Sequence, residues 1–164
     1  MILSDSQIRA RGIISPCEER QQFRGRSFGL SACGYDVRFD LDTIDEWANY
    51  RHVQTTDGDG ILLAPGQSVL LGTQELFHMP DNVVGLLKDK STWARQGVLV
   101  SQGVLEPGWR GFASVLLFNV GTEDVPIIHG DPIAQVLFQI TGEVDAPYNG
   151  KYQNQEGGQG PILE

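Results

Sequence analysis

Cysteine is scarce in this chain, and long apolar runs are missing. Two cysteines, Cys17 and Cys33, in 164 residues make no disulfide framework, so we expect reduced thiols and a cytoplasmic protein. No stretch approaches the roughly eighteen consecutive apolar residues of a membrane-spanning helix. The segment Met1–Asp5 lacks the basic start and apolar stretch of a secretory signal. We therefore expect no membrane partner.

Basic residues are also few. Lys and Arg number 12 against 21 Asp and Glu, which gives a formal net charge of −9 at pH 7. Nucleic-acid-binding proteins usually carry a basic surface, so we expect no nucleic-acid partner. A small phosphorylated ligand needs only a local group of cations, and this composition is compatible with one.

Several signatures of catalysis and metal binding are absent. The sequence has no Cys-x-x-Cys, no Walker-type loop and no Gly-x-Ser-x-Gly elbow. His52, His78 and His129 are isolated and show no metal-ligand spacing. Such histidines are more often surface residues or satisfied core residues than ligands.

Glycine, proline and short apolar runs are plentiful. Twenty glycines and eight prolines separate these runs. Residues 35–41 alternate between apolar and polar side chains, which predicts a half-buried strand. The later runs are residues 61–63, 69–71, 83–87, 98–100, 113–118, 125–128 and 133–140. Strands of this length and spacing predict an all-β sandwich or barrel.

Two short helical segments are also predicted. One helix begins after Ser4, with Gln7 in the position that a capping box requires, and ends at Gly12. The second is a single helical turn over residues 91–96, ended by Gly97.

Three polar segments lack the periodicity of a helix or strand. Residues 16–31 and 42–60 are predicted to be loops. Residues 149–164 are predicted to be a flexible tail at the end of one domain that spans residues 1–164.

Cations cluster near the predicted helical turn. Lys88, Lys90 and Arg95 surround Ser91 and Thr92. Cationic side chains, hydroxyl groups and free backbone N–H groups together favour phosphate binding. The alternative is an ordinary solvated turn, because Lys and Arg are common on protein surfaces.

A second candidate site is the segment Gly103–Gly111, which joins two apolar runs and contains Glu106 and Trp109. A nucleobase can stack on an indole, and a carboxylate can bind a sugar hydroxyl or orient a water molecule. The alternative is a β-hairpin whose Trp packs in the core.

The third candidate is the tail, residues 148–160. It combines hydrogen-bond donors, Lys151 and several glycines, which suits a segment that becomes ordered over an anionic ligand. The alternative is a frayed terminus.

Taken in order, these segments resemble the trimeric dUTPase and dCTP deaminase superfamily. The matching segments are Met1–Asp5 with Gln7–Arg9, Gly34–Arg38, Lys90–Arg95, Gly130–Gln135 and Pro147–Gln155. The resemblance implies a mainly β fold, a distorted β-barrel of jelly-roll type with short helices. It also implies a homotrimer whose sites are shared between subunits, with the tail closing over a neighbour's site.

A further shared segment, the turn around Glu106, distinguishes the two branches of this superfamily. In the deaminases, a Glu ten residues beyond the acid of this turn shuttles protons while water displaces ammonia from cytosine. Here that position holds Leu116, which cannot exchange protons. In the dUTPases, the acid of the turn orients the water that attacks the α-phosphate, and here that acid is Glu106. The nine residues from Gly97 to Glu106 also fit the dUTPase spacing.

We therefore predict a Mg²⁺-dependent hydrolase that converts dUTP and water to dUMP and diphosphate, with Glu106 as the catalytic residue. The first alternative is a dCTP deaminase, monofunctional or bifunctional, which Leu116 disfavours. The second alternative is a homologue that binds nucleotides without turnover. Whether uracil, cytosine or a modified base is preferred stays open.

The resemblance also implies binding residues. Those for phosphate are Lys90, Ser91, Arg95 and Gln135, with Tyr148, Lys151 and Gln155 closing over the ligand. Those for the nucleoside are Gln102, Gly103 and Trp109. Mg²⁺ would be held by phosphates and water with no direct protein ligand, and Asp36 would be a structural or outer-shell residue rather than a direct ligand. The implied partners are a pyrimidine deoxynucleoside triphosphate and further copies of the chain.

Overall fold

Strands dominate residues 1–44 and 50–163, the part of the chain that this computed structural model describes. The strands are β1 (Ile14–Ser15), β2 (Gln21–Phe23), β3 (Arg26–Ser31), β4 (Gly34–Asp40), β5 (Arg51–Thr55), β6 (Gly58–Leu63), β7 (Ser68–His78), β8 (Val83–Lys88), β9 (Val98–Val100), β10 (Val104–Leu105), β11 (Arg110–Asn119), β12 (Val125–Ile128), β13 (Pro132–Ile140) and β14 (Gln155–Glu156). The helices are α1 (Asp5–Arg11) and α2 (Ser91–Ala94), and Leu41–Thr43 form a 3-10 turn.

Most of these strands belong to one large, curled sheet. Its central path runs β10–β8–β13–β4–β7–β11–β14, and β1, β2, β3 and β9 pair along its sides. All of these pairings are antiparallel except that of β11 with β14, which is parallel. A second sheet has the order β12–β6–β5. The prediction of a mainly β, barrel-like fold is confirmed.

Alternating side chains build the core. In β8 and β11, every second residue is buried, as expected for strands with one face toward the interior. Trp93, Tyr35 and Phe39 are among the largest fully buried side chains. The predicted strand over residues 35–41 is confirmed as β4 with one difference, because the carboxylate of Asp36 is buried as well.

The helices follow their predicted boundaries closely. At the start of α1, the backbone N–H of Ser4 donates to the side-chain oxygen of Gln7 at 3.0 Å. Gly12 ends the helix in the left-handed conformation, at φ 60°. The second helix is shorter than predicted, since α2 ends at Ala94, and Gly97 follows with φ 81°.

Two predicted loops are wrong in part. Residues 21–31 form an antiparallel hairpin, in which Gln21 pairs with Phe28 and Phe23 with Arg26. Within 42–60, strand β5 and the start of β6 also form a hairpin. Residues 45–49 of that predicted loop lie outside the described residues. Both hairpins were missed because β2 and β5 carry polar side chains on both faces, so they lack the apolar alternation that predicts strands. In β3 only Phe28 and Leu30 alternate as apolar residues.

The first residues of the chain are bonded to β13. The backbone N–H of Leu3 donates to the carbonyl of Phe138 at 2.8 Å, and that of Ile140 donates to the carbonyl of Met1 at 3.0 Å. Between them, Ile2 forms a β-bridge with Gln139. Cys17 and Cys33 are both free thiols. A search of the described helices finds none with the length and apolarity to cross a bilayer.

Candidate functional site

The acid of the second candidate segment lies in a tight turn. The carbonyl of Glu106 accepts the backbone N–H of Trp109 at 3.1 Å. Pro107 occupies the second position of this turn and Gly108, at φ 81°, the third, the pattern of a type II turn. A side chain at Gly108 would also collide with Pro147. The sequence therefore fixes this turn locally and leaves Glu106 exposed.

Backbone hydrogen bonds hold the turn from two sides. Met79, just beyond β7, accepts from the N–H of Gly108 at 3.2 Å and donates to the carbonyl of Trp109 at 2.9 Å. From the tail, the N–H of Tyr148 donates to the carbonyl of Pro107 at 2.8 Å. The position of the Glu106 carboxylate is thus set by neighbouring segments as well as by the turn.

Trp109 is packed rather than free. Its side chain is 6% exposed, and its ring centroid lies 6.3 Å from that of Phe77. The indole N–H donates to the carbonyl of Tyr152 at 2.8 Å. From the sequence, Trp109 was expected either to contact a ligand or to pack in the core. In the structure it packs in the core, and one side of it also lines a pocket.

That pocket has a volume of about 240 Å³. It brings together five of the residues predicted for the site, namely Gly103, Glu106, Trp109, Tyr148 and Gln155. The remainder of its lining is mainly apolar, with Leu87, Val104, Leu105 and Ala113. A small, mainly apolar pocket with a few polar groups is typical of a ligand site.

The tail closes one side of this pocket by pairing with β11 of its own chain. Gln155 aligns with Gly111 in the parallel pairing of β14. Its amide nitrogen lies 2.6 Å from the hydroxyl of Ser114, 2.9 Å from the carbonyl of Phe112 and 2.8 Å from that of Gly157. The amide that was predicted to bind phosphate is thus engaged within the chain. Its phosphate contact, and the flexibility of the tail, stay predictions.

A second group of predicted residues lies on β4, β13 and the segment after β8. Lys90 is 7% exposed, and its ammonium nitrogen lies 2.7 Å from Asp36 and 3.3 Å from the hydroxyl of Ser27. Gln135 faces Asp36 across the sheet and donates to Ser31 at 3.2 Å. These residues are absent from the lining of the 240 Å³ pocket.

The other predicted residues are exposed. Ser91 and Arg95 lie on the surface at α2. Gln102 accepts a hydrogen bond of 2.6 Å from the ammonium of Lys88, so this cation lies beside the segment that joins β9 and β10. Lys151 donates to the carbonyl of Ile162 at 2.7 Å. Their binding roles stay predictions.

Leu116 lies on β11 beside the segment that joins β9 and β10. Its carbonyl accepts the backbone N–H of Ser101 at 2.8 Å, and its side chain is half-buried. The position that holds an acid in deaminases is therefore apolar here, next to Ser101 and Gln102. In the pocket itself, Glu106 is the carboxylate among the lining residues.

Sequence reasoning missed two lining residues, Ser114 and Tyr152. Ser114 belongs to the outward-facing set of β11, and Tyr152 contributes mainly a backbone carbonyl to Trp109. Ser114 carries no motif signal, whereas Tyr152 lies within the matching segment Pro147–Gln155 but was given no role of its own. Only the pairing of the tail with β11 places them at the site.

A larger hollow of about 1070 Å³ lies between Thr43–Ile44 and residues 153–163. Its lining consists mostly of tail glycines and apolar side chains, with Glu156 as the charged member. It contains none of the predicted catalytic or nucleoside-binding residues. The smaller pocket therefore remains the candidate site.

Side chains that bind metals do not cluster in residues 1–44 and 50–163. In this part of the chain, no group of three or more His, Cys, Asp and Glu side chains is arranged to hold an ion. The donor set around the candidate pocket is the single carboxylate of Glu106. One carboxylate is too few to coordinate a metal ion by itself. It suits a cation that is bound mainly by the phosphates of a nucleotide and by water.

Comparisons with known proteins agree over nearly the whole chain. A family model described as dCTP deaminase-like matches residues 2–141. A dCTP deaminase of Campylobacter concisus is 36% identical, over 94% of each chain. A dCTP deaminase of Thermococcus kodakarensis is 31% identical, over 93% of this chain and 92% of its own.

Solved structures share the fold at lower identity. A 2′-deoxycytidine 5′-triphosphate deaminase from Agrobacterium tumefaciens superimposes with a TM-score of 0.62 and 16% identity, over 85% of this chain and 47% of its own. A dUTPase from phage phi11 of S. aureus gives a TM-score of 0.53 and 14% identity, over 85% of this chain and 96% of its own.

The prediction of a dUTP diphosphatase is wrong. The relatives that align with more than nine-tenths of the chain are named dCTP deaminase, whereas the dUTPase structure is too distant to indicate more than the fold. The prediction relied on the spacing around one turn and on Leu116. These are local features, and the similarity of the whole chain outweighs them.

Proposed function

The chain belongs to the dCTP deaminase-like family, whose members are enzymes that act on nucleotides, and from this premise we propose that it deaminates dCTP. The reaction takes up water and yields dUTP and ammonia. The observation that carries the proposal is the similarity, over nearly the full length of both chains, to proteins named dCTP deaminase. The first alternative drawn from the sequence thus replaces the hydrolase.

The 240 Å³ pocket is the proposed place for the nucleoside. Trp109 and Leu87 offer apolar surface to a pyrimidine ring, and the backbone at Gly103 is accessible to its polar edge. Glu106 lies in the same lining, held by a turn with bonds on both sides. A carboxylate on a fixed turn is well placed to bind a water molecule or a sugar hydroxyl.

Deamination needs a group that moves protons. Water adds to C4 of the cytosine ring, the ring nitrogen and the amino group gain protons, and ammonia leaves as the carbonyl forms. Because Leu116 cannot perform this transfer, we assign it to Glu106, the carboxylate that lines the pocket. Glu106 takes the two protons of the attacking water in turn, and it delivers the first to the ring nitrogen and the second to the departing amino group.

The triphosphate would be bound by polar and cationic side chains from another subunit. Ser91 and Arg95 are exposed but do not line the pocket of their own chain. In a homotrimer with shared sites, as the resemblance implies, these side chains would reach a neighbour's ligand. Lys151 on the tail would add a further cation. Mg²⁺ would be held by the phosphate oxygens and water, and there it would neutralise phosphate charge.

The test is a product assay with Mg²⁺ on dCTP and, separately, on dUTP. We expect ammonia and dUTP in equal amounts from dCTP. Glu106→Gln should lower this rate by about 10²- to 10⁴-fold, the range of general acid–base catalysis, while dCTP binding is retained. Glu143→Gln makes the same change at an exposed position and serves as the matched control. Full activity of Glu106→Gln would contradict the assignment of Glu106, and diphosphate instead of ammonia would contradict deamination.

One observation favours a second candidate function, which is nucleotide binding without turnover. It is the apolar side chain of Leu116 at the position where deaminases carry their proton-shuttling Glu. Titration calorimetry with dCTP, combined with the ammonia assay, distinguishes the two candidate functions. Binding without any ammonia would favour the second, and ammonia release would reject it.

A further inference from the structure

The tip of the β2–β3 hairpin reaches three separate segments of the site region. We call residues Arg24–Ser27 the hairpin tip. Arg26 contacts α2, Ser27 contacts Asp36 on β4, and Arg24 contacts the turn before β13. These segments are the ones that resemble shared motifs of the family, whereas the hairpin tip was predicted to be a loop without a function.

The contact of Arg26 with α2 is a stacked one. Its guanidinium carbon lies 3.9 Å from the ring centroid of Trp93. Trp93 is fully buried, and its indole N–H donates to the carbonyl of Pro132 at 2.6 Å. Because the Arg26 side chain is only 14% exposed, this cation–π contact is largely desolvated, which makes such contacts stronger.

Asp131 holds the other end of the hairpin tip. Its side chain is fully buried, and it accepts hydrogen bonds from Arg24 and from the backbone N–H of Ile128. Its second oxygen lies 3.7 Å from Arg26 and has no hydrogen-bond partner among the described residues. The two arginines therefore share one buried carboxylate, and this fixes the direction from which Arg26 approaches Trp93.

Ser27 joins a second buried pair. Its hydroxyl lies 3.3 Å from the ammonium of Lys90 and 3.4 Å from the carboxylate of Asp36. Lys90 precedes α2 directly, and its ion pair with Asp36 is nearly enclosed. Both ends of α2 are thus tied to the hairpin tip, one through Lys90 and one through Trp93.

Helix α2 needs such support, because a helix of four residues has no stability of its own. We propose that Arg26 is a positioning residue, which orients α2 so that Ser91 and Arg95 can contact the triphosphate of the ligand. Lys90 acts in the same way, through Asp36, rather than as a phosphate ligand. The identity of the ligand rests on the proposed function, but the ordering of α2 does not.

The test compares Arg26→Gln with Arg9→Gln. Arg9 is a matched control because it forms an exposed ion pair with Glu19 on the surface. Hydrogen exchange of the amides of residues 91–97 is measured without ligand. Binding of dCTP, inorganic tripolyphosphate and deoxycytidine is measured by calorimetry.

We expect Arg26→Gln to raise exchange in α2 about tenfold and to weaken dCTP and tripolyphosphate binding about tenfold, as the loss of a desolvated cation–π contact should. Deoxycytidine binding should not change. Arg26→Lys keeps the charge, so its exchange in α2 and its affinity for dCTP and tripolyphosphate should lie between those of the native protein and Arg26→Gln. If Arg26→Gln does not fold, Arg26→Lys takes its place in the comparison. A purely structural role would weaken all three ligands alike.

The outcomes separate the two proposals. Unchanged exchange in α2 would overturn the positioning role of Arg26, and so would equal losses for deoxycytidine and dCTP. If α2 exchange rises but neither dCTP nor tripolyphosphate binds the unsubstituted protein, the proposed function fails, and the positioning of α2 by Arg26 stands.

Discussion

Glu75 is a charged side chain sealed inside the sheet. It lies on β7 with no exposed side-chain surface. Arg38 is its partner, with the backbone N–H at 2.9 Å and the side-chain Nε at 2.8 Å. Burial nevertheless outweighs these bonds and raises the pKa of Glu75 above its ordinary value of 4.5.

This shift predicts how stability depends on pH. A raised folded-state pKa means that the fold favours the protonated group. Protonated Glu75 therefore makes its whole contribution to the free energy of unfolding below about pH 4.5. This contribution is lost as the pH rises through the higher folded-state pKa. In Glu75→Gln this titration is absent. We expect the free energy of unfolding of the native protein to fall relative to that of the variant as pH rises, measured by urea unfolding from pH 4.5 to 8. A constant difference would contradict the shift.

At the scale of residues, the sequence located part of the site. The order of the motifs was sufficient to assign Glu106, Trp109 and Tyr148 to one site, and these residues line the same pocket. It was not sufficient for Lys90, which local sequence presents as an exposed cation. Its enclosure depends on Asp36, which is distant in sequence and adjacent only through the sheet.

Among the elements, β14 stands out because one hydroxyl group forms three of the hydrogen bonds that hold it and the residues after it. Ser114 of β11 accepts from the amide of Gln155 at 2.6 Å and from the N–H of Gln159 at 3.0 Å, and it donates to the carbonyl of Gly157 at 3.2 Å. Backbone bonds from Asn154 to Arg110 and from Gly158 to Thr43 also hold this part of the tail. The docking of the tail should therefore be sensitive to this side chain.

Removal of the hydroxyl group tests this dependence. Ser114→Ala should make the amides of residues 155–159 exchange on the order of a hundredfold faster, since it removes three hydrogen bonds that contribute about 1 kcal/mol each. Ser68→Ala, an exposed serine on the neighbouring β7, is the control. Exchange measured by mass spectrometry should differ between the two variants only in the tail. Equal protection in both would show that the backbone pairing alone holds β14.

Apolar alternation predicted the elements that have one buried face. It located β4, and the short apolar runs located β8, β11 and β13, near their observed bounds. It missed β2, whose three residues are exposed or half-buried. The hairpin formed by β2 and β3 is stabilised at its tip by arginine contacts, and no local pattern predicts contacts with a carboxylate as distant as Asp131.

At the scale of the whole molecule, apolar side chains remain on the outer face of the sheet. Leu99 and Phe118 are partners across β9 and β11, and each is 38% exposed. Val120, beyond the end of β11, is 65% exposed. Contiguous exposed apolar side chains are typical of a protein–protein interface. This face is where we expect the copies of a homotrimer to meet.

Sedimentation equilibrium tests the assembly. We expect a mass three times the 18.0 kDa of the chain, and a mass of one chain for Phe118→Asp, because a charge at the interface must be desolvated without a partner. Leu163→Asp, at an exposed apolar residue of the tail, should not change the mass. A monomeric native protein would contradict both the trimer and the sharing of sites.

Fold class was predictable at this scale, because strand spacing and turn residues depend on local sequence. The sharing of sites between copies of the chain stays a prediction. The pocket around Glu106 and the turn that carries Arg95 are separate within one chain. A single sequence contains no direct signal for contacts between copies, so the resemblance to a family had to supply that expectation.

The bonding of the first residues to β13 also affects how the protein is made. Leu3 reaches its partner Phe138, and Ile2 reaches Gln139, only after most of the chain has been synthesised. Until β13 has been translated, Ile2 and Leu3 lack the strand with which they pair, and their apolar side chains stay exposed to solvent. Closure of the large sheet is therefore a late event in biosynthesis. A nascent chain that stalls before β13 presents an unfinished sheet edge to chaperones and proteases.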